Sequence, residues 1–164
     1  MITIESASPE VTHAIGCVLG ETLLGATRAE GGRVVRLSGE LGAGKTALVR
    51  GIARGLGLEP RNVNSPTYTI ANEYRSGDAL MVHIDAYRVD DPEETLEQID
   101  AHGALSAGAV LCIEWAELLG DAVGDADLDV VLQHAGERER TIVVDGPLVT
   151  DTLRERLHQE ARAR

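Results

Sequence analysis

Apolar residues follow two rhythms along this chain. Between Pro9 and Leu24, Val11, Ile15, Val18, Leu19 and Leu23 recur at helical spacing, so an amphipathic helix is expected there. Ser8, Pro9 and Glu10 make its start, as N-cap, first-turn proline and first-turn acid. Gly25 to Gly32 reads as the loop after it. Elsewhere the period is two, or the apolar run is unbroken. Ile2-Thr3-Ile4-Glu5 alternates as a short edge strand, and Val34-Val35-Arg36-Leu37 reads as a buried one. Thr67 to Tyr74 alternates, turns at Ser76-Gly77-Asp78 and returns as Leu80 to Asp85, a hairpin. Ala109 to Trp115 is the most continuous apolar run and suits a central parallel strand. Leu128–Leu132 and Thr141–Val144 pair around the turn 134–137. Helices are expected over Ala47–Leu56, over Pro92–Asp100 with a short second piece near Ala104, and from Pro147 onward. The last of these carries Leu148, Leu153 and Leu157 on one face and frays from Arg154 to Arg164. The sum is one α/β domain over residues 1–164: a mixed, mostly parallel sheet flanked by helices, with hairpin additions.

Between the second strand and its helix lies Gly39-Glu40-Leu41-Gly42-Ala43-Gly44-Lys45-Thr46, which fits the phosphate-binding pattern G-x-x-x-x-G-K-[ST]. The glycines let successive N–H groups converge on phosphates, and the helix start at Ala47 adds its partial positive charge. Lys45 reaches the β- and γ-phosphates, and the Thr46 hydroxyl suits Mg²⁺. Lys45 is the only lysine in a chain whose other basic residues are all arginine. A compact ammonium fits between phosphate oxygens where a planar guanidinium does not. The chain is therefore expected to bind ATP or GTP.

Two strands end in acids, Asp85 and Glu114. A carboxylate at the end of a buried strand is costly unless paired, hydrogen-bonded or metal-bound. Beside a phosphate loop, two such acids point to holding Mg²⁺ and positioning water. Their spacing does not divide the roles. Ser65-Pro66-Thr67 stands where many P-loop proteins carry a nucleotide-sensing switch, or it is a plain hairpin entry. Trp115 packs as core or sits against a nucleotide or partner, and both readings stand. Thr12 faces the nucleotide or, as the sequence alone favours, solvent or the helix cap. His83, His102, His134 and His158 lack ligand spacing; His83 shares a strand face with Asp85, which places it near the site, and the other three read as solvated or core histidines.

Composition narrows the classes. The net charge of −12 opposes direct gripping of RNA or DNA, which needs a basic face. It leaves room for a protein partner that handles RNA. No apolar run has membrane-span length and no signal pattern opens the chain, so a cytoplasmic protein without a membrane partner is expected. Cys17 and Cys112 lie in apolar surroundings without metal spacing and read as buried reduced thiols. Phenylalanine is absent, so the core must come from Val, Leu, Ile and Ala.

The phosphate loop, Ser65-Pro66-Thr67-Tyr68, His83-Ile84-Asp85-Ala86-Tyr87-Arg88 and Ile113-Glu114-Trp115, in this order, resemble the bacterial TsaE (YjeE) ATPases of tRNA threonylcarbamoyladenosine synthesis. The resemblance covers about residues 8–146. It implies that Glu40, Leu41, Gly42, Ala43, Gly44, Lys45, Thr46 and Ala47 hold ATP, and that Thr46 and Glu114 ligate Mg²⁺. Asp85 would be the Walker-B-like acid, with a share in the metal site, and Thr67 a switch residue near the γ-phosphate. Thr12, Trp115 and a late arginine, Arg140, would lie near the nucleotide. It implies an accessory ATPase, slow alone, that acts on a TsaB–TsaD complex modifying adenosine 37 of tRNA, with tRNA met only through that complex. One departure is visible: Asp100 stands where the family usually shows glycine. Arg88, three residues after Asp85, is a candidate arginine finger. A small-molecule P-loop kinase and a non-hydrolysing nucleotide-binding scaffold are the rival classes; the insert 88–108, with one arginine and many acids, does not suit a kinase lid.

Overall fold

The structure is a computed structural model and describes residues 1–59, 63 and 70–163, without the side chains of residues 27–30. Seven strands form one sheet: β1 (Ile2–Ser6), β2 (Arg33–Ser38), β3 (Ala71–Ser76), β4 (Ala79–Asp85), β5 (Val110–Glu114), β6 (Leu128–His134) and β7 (Arg140–Asp145). Their order is β1-β7-β6-β2-β5-β4-β3. The central four, β6, β2, β5 and β4, run parallel, and antiparallel pairs finish both edges. The expected α/β architecture is present.

Side-chain pattern explains which strands are central. β5 is buried at every position, as a strand covered on both faces must be. β1 alternates buried and exposed, so only one of its faces is covered. Helices α1 (Pro9–Glu30), α2 (Lys45–Gly55) and α5 (Asp151–Arg162) cover one face. Their core includes Ile15, Leu19, Leu48 and Ile52 against Val35, Leu37, Cys112 and Val130. Helices α3 (Pro92–Gln98) and α4 (Ala101–Ser106) cover part of the other face, where Leu96 and Ala101 meet Val82, Ile84, Leu111 and Ile113.

The contact between α1 and α2 rests on glycines. Gly16 and Gly20 on α1 face Gly51 and Gly55 on α2, and a Cβ at any of the four would run into a backbone carbonyl of the other helix. This close approach sets how near the phosphate-loop helix lies to its neighbour.

The expected bounds of two helices are corrected. α1 does not stop near Leu24 but continues to Glu30, so residues 25–30 are helix, not loop. α5 begins at Asp151 rather than Pro147, because Thr150 caps it by accepting from the Leu153 N–H at 3.1 Å. It remains helical to Arg162. The strand expected to begin at Thr67 is described from Ala71, as β3; residues 64–69 lie outside the described residues. Asp100 adopts the left-handed conformation, φ 50°, that glycine enters without strain, and its carboxylate caps α4 through the Gly103 N–H. The aspartate thereby keeps the turn that a glycine would make.

Cys112 is fully buried, and burial together with Glu114 pushes its thiol well above the usual range. Cys17 is half-buried, its thiol raised less, mainly by burial. Alkylation of the native protein is expected to mark Cys17 while Cys112 reacts only on unfolding. Mass spectrometry of briefly treated protein checks this.

Candidate nucleotide-binding site

The loop between β2 and α2 is shaped by its glycines. Gly39 has φ 143° and passes so close to the Leu132 carbonyl that no side chain fits. Gly42 and Gly44 have φ 75° and 100°, and Gly44 stands at the N-cap of α2 without any side-chain cap. The start of α2 is therefore open to an anion, which its dipole favours.

Lys45 is only 4% exposed and folds back over the loop. Its Nζ donates to the carbonyls of Gly39 at 2.5 Å and Glu40 at 3.0 Å. The same ammonium lies 3.7 Å from the centroid of the Trp115 ring, a cation–π contact. Burial lowers its pKa from the ordinary lysine value, and the carboxylates of Glu114, Glu117 and Asp85 oppose that shift. Trp115 holds the left-handed conformation at φ 59°, strained for a bulky residue, and Tyr87 packs on it at 5.0 Å. Trp115 is thus neither plain core nor a free surface ring.

Glu114 closes β5 and is 4% exposed. Its Oε1 accepts from the Thr46 hydroxyl at 2.8 Å and is 2.8 Å from His83 Nε2. Asp85 is its register neighbour on β4 and caps the following 3-10 turn by accepting from the Tyr87 N–H at 3.1 Å. Among the described residues, no three or more His, Cys, Asp or Glu side chains cluster as a self-sufficient metal site. The donors present instead fit magnesium, a hard cation that takes one or two protein oxygens and fills its shell from phosphates and water. Thr46 and Glu114 already bring their oxygens together beside the open helix end.

A model of the family "Threonylcarbamoyl adenosine biosynthesis protein TsaE" matches residues 6–142. The tRNA threonylcarbamoyladenosine biosynthesis protein TsaE of Bacillus subtilis is 40% identical over 138 residues, 84% of this chain and 80% of that protein. The protein of the same name from Mycobacterium tuberculosis is 36% identical over 81% of this chain and 79% of its own length. The chain belongs to the TsaE family. A crystal structure of Bacillus subtilis YdiB superposes with a TM-score of 0.64 at 28% identity, covering 99% of this chain and 95% of that one.

The site residues expected from the TsaE resemblance do not all stand alike. Lys45, Thr46, Glu114 and Trp115 converge on the loop. Thr12 is corrected from its solvent-facing reading: it is 2% exposed, hydrogen-bonded to Ser6 at 2.8 Å, and its methyl faces Gly44. Arg140 grips the loop from behind. Its guanidinium donates to Ala43 O at 3.1 Å and Gly42 O at 3.0 Å, and to carbonyls of its own turn at Gly136 and Glu139. Thr67 lies outside the described residues. His134, read as a bystander, approaches the loop at Leu41 O, 3.3 Å away, a contact across 93 positions with no local signal. Leu41 itself is 81% exposed at the loop's tip. No helix among the described residues is long and apolar enough to cross a membrane.

Proposed function

We propose that this chain is an ATPase, binding and hydrolysing ATP with Mg²⁺ in support of tRNA threonylcarbamoyladenosine formation by a TsaB–TsaD complex. The observation that carries the reading is the convergence of Lys45, Thr46, Glu114 and Trp115 on an open, glycine-shaped helix start. In this reading the loop amides from Glu40 to Ala47 and the Lys45 ammonium hold the phosphates. Thr46 and Glu114 hold the metal, with Asp85 beside them. Magnesium, when bound, screens the charge that builds on the phosphate oxygens. Asp85 orients the attacking water, and Thr67 acts as the switch near the γ-phosphate. Catalysis is then positioning plus charge stabilisation. Turnover is slow in the isolated chain, and the partner complex raises it. The acidic surface, net −12, fits docking on protein rather than direct binding of tRNA or DNA, and a cytoplasmic setting follows from the tRNA role. The kinase alternative is disfavoured because α3 and α4, which make up most of the insert, pack on the sheet instead of forming a lid.

Phosphate release from ATP by the purified chain, alone and with TsaB and TsaD, tests this. Slow basal turnover that the complex stimulates supports it. Nucleotide binding without hydrolysis under either condition leaves a scaffold and removes the roles given to Asp85 and Glu114.

Arg140→Met should loosen the loop without touching the metal ligands. Hydrogen bonds from a charged donor are worth about 1.5–3 kcal/mol, so roughly tenfold or more weaker ATP binding is expected. Calorimetric titration of both proteins reads it.

A further inference from the structure

His83 lies on β4 and is fully buried, 0% exposed. Its Nε2 is 2.8 Å from Glu114 Oε1, the same oxygen that accepts from Thr46. Its Nδ1 is buried with no hydrogen-bond partner. A carboxylate oxygen can only accept, so Nε2 carries a hydrogen. Glu114 is thus held at Oε1 by two donors, while Oε2 accepts from no described residue.

We propose that His83 is a positioning residue: it holds Glu114 by Oε1 so that the carboxylate keeps its aim at the place where Thr46 and Glu114 would hold a metal ion. The inference rests on the proposed Mg–ATP site. The Thr46 hydroxyl keeps lone pairs for a cation while it donates to Glu114, but as a side chain that would itself bind the metal it is not an independent hold on the carboxylate. His83 Nε2–H is the other Oε1 partner among the described residues, and it takes no part in holding the metal. Without it Glu114, nearly buried, would swing toward any other donor or cation, Lys45 foremost. Groups that orient a metal ligand in this way typically contribute 10–100-fold in metal affinity.

Three variants of this one position separate the idea from a general packing role. Mn²⁺ affinity in the complex with a non-hydrolysable ATP analogue is measured by electron paramagnetic resonance. Analogue binding in EDTA is measured alongside as a control for an intact loop. His83→Leu is expected to weaken Mn²⁺ at least tenfold, with metal-free analogue binding within threefold of wild type. His83→Gln, whose amide nitrogen can replace Nε2–H, should recover most of the loss; His83→Asn, which is shorter, should not. Long-range ¹H–¹⁵N NMR of the wild type should find the hydrogen of His83 on Nε2. Unchanged Mn²⁺ affinity in His83→Leu, or a hydrogen on Nδ1 alone, overturns the inference while leaving the ATPase reading intact. Should His83→Leu fail to fold, the glutamine–asparagine comparison and the NMR result decide. A wild type that does not bind the analogue overturns both readings together.

Discussion

Gly51→Ala is expected to lower the melting temperature by roughly 5–10 °C, although alanine is the better helix former. Alanine in place of glycine inside a helix contributes about 1 kcal/mol of stability where there is room. At Gly51 there is none. The new methyl would run into the His13 carbonyl, with Gly16 Cα at 2.9 Å and Cys17 N at 3.0 Å, all backbone that no rotamer change can move. Overpacking of this kind costs about 1–3 kcal/mol or more, and a chain of this size loses about 2–4 °C per kcal/mol. Gly25→Ala is the control. It lies in the same helical layer, on α1, with nothing within 4 Å of the added methyl. It should be neutral or raise the midpoint by roughly 2–3 °C. Thermal unfolding followed by circular dichroism reads both signs. Equal shifts of the two variants would mean that α1 and α2 do not meet on their glycines.

The second large effect is on chemistry. Lys45→Ala is expected to reduce ATP hydrolysis by about 10²–10³-fold, the loss usual for removing one preorganised charge-stabilising donor. Its seat in the structure gives the reason. The ammonium already rests on the Gly39 and Glu40 carbonyls and the Trp115 ring, so it need only turn to meet phosphate oxygens. Burial makes the free ammonium less comfortable than in water, and an arriving polyanion relieves that. Lys45→Arg should not restore the rate, since a planar guanidinium does not fit the same space. A phosphate-release assay on both variants checks this, and recovery in the arginine variant would sink the argument from shape.

Much of this was legible along the chain because it is written in local signals. Strand alternation and unbroken apolar runs separated half-covered β1 from fully buried β5. The phosphate loop, the paired terminal acids and the cap at Ser8 each rest on neighbouring residues. Helix ends were less legible. Gly25 reads as a stop, yet the helix runs through it to Glu30 with Gly31 as its end. Pro147 reads as a start, yet the cap is made by Thr150. The loop's rear support was not legible. Arg140 meets Ala43 across 97 positions and His134 meets Leu41 across 93, contacts created only when β6 and β7 fold beside β2. The glycine pairs 16/20 and 51/55 show their four-residue spacing in sequence, but which pair faces which is a property of the packed helices. His83 was visible as sharing a face with Asp85; its hold on Glu114 depends on the β4–β5 register.

Trp115, the only tryptophan, lies 3.7 Å from the Lys45 ammonium, and its fluorescence therefore reports on the site directly. The most direct test of the account is a titration of the wild-type chain with ATP and Mg²⁺ while Trp115 emission is followed. A saturable change that Lys45→Ala removes is the predicted result, because the phosphates draw the ammonium off the ring. No change in emission, with no ATP binding by calorimetry, would contradict the assignment of this loop as a nucleotide site.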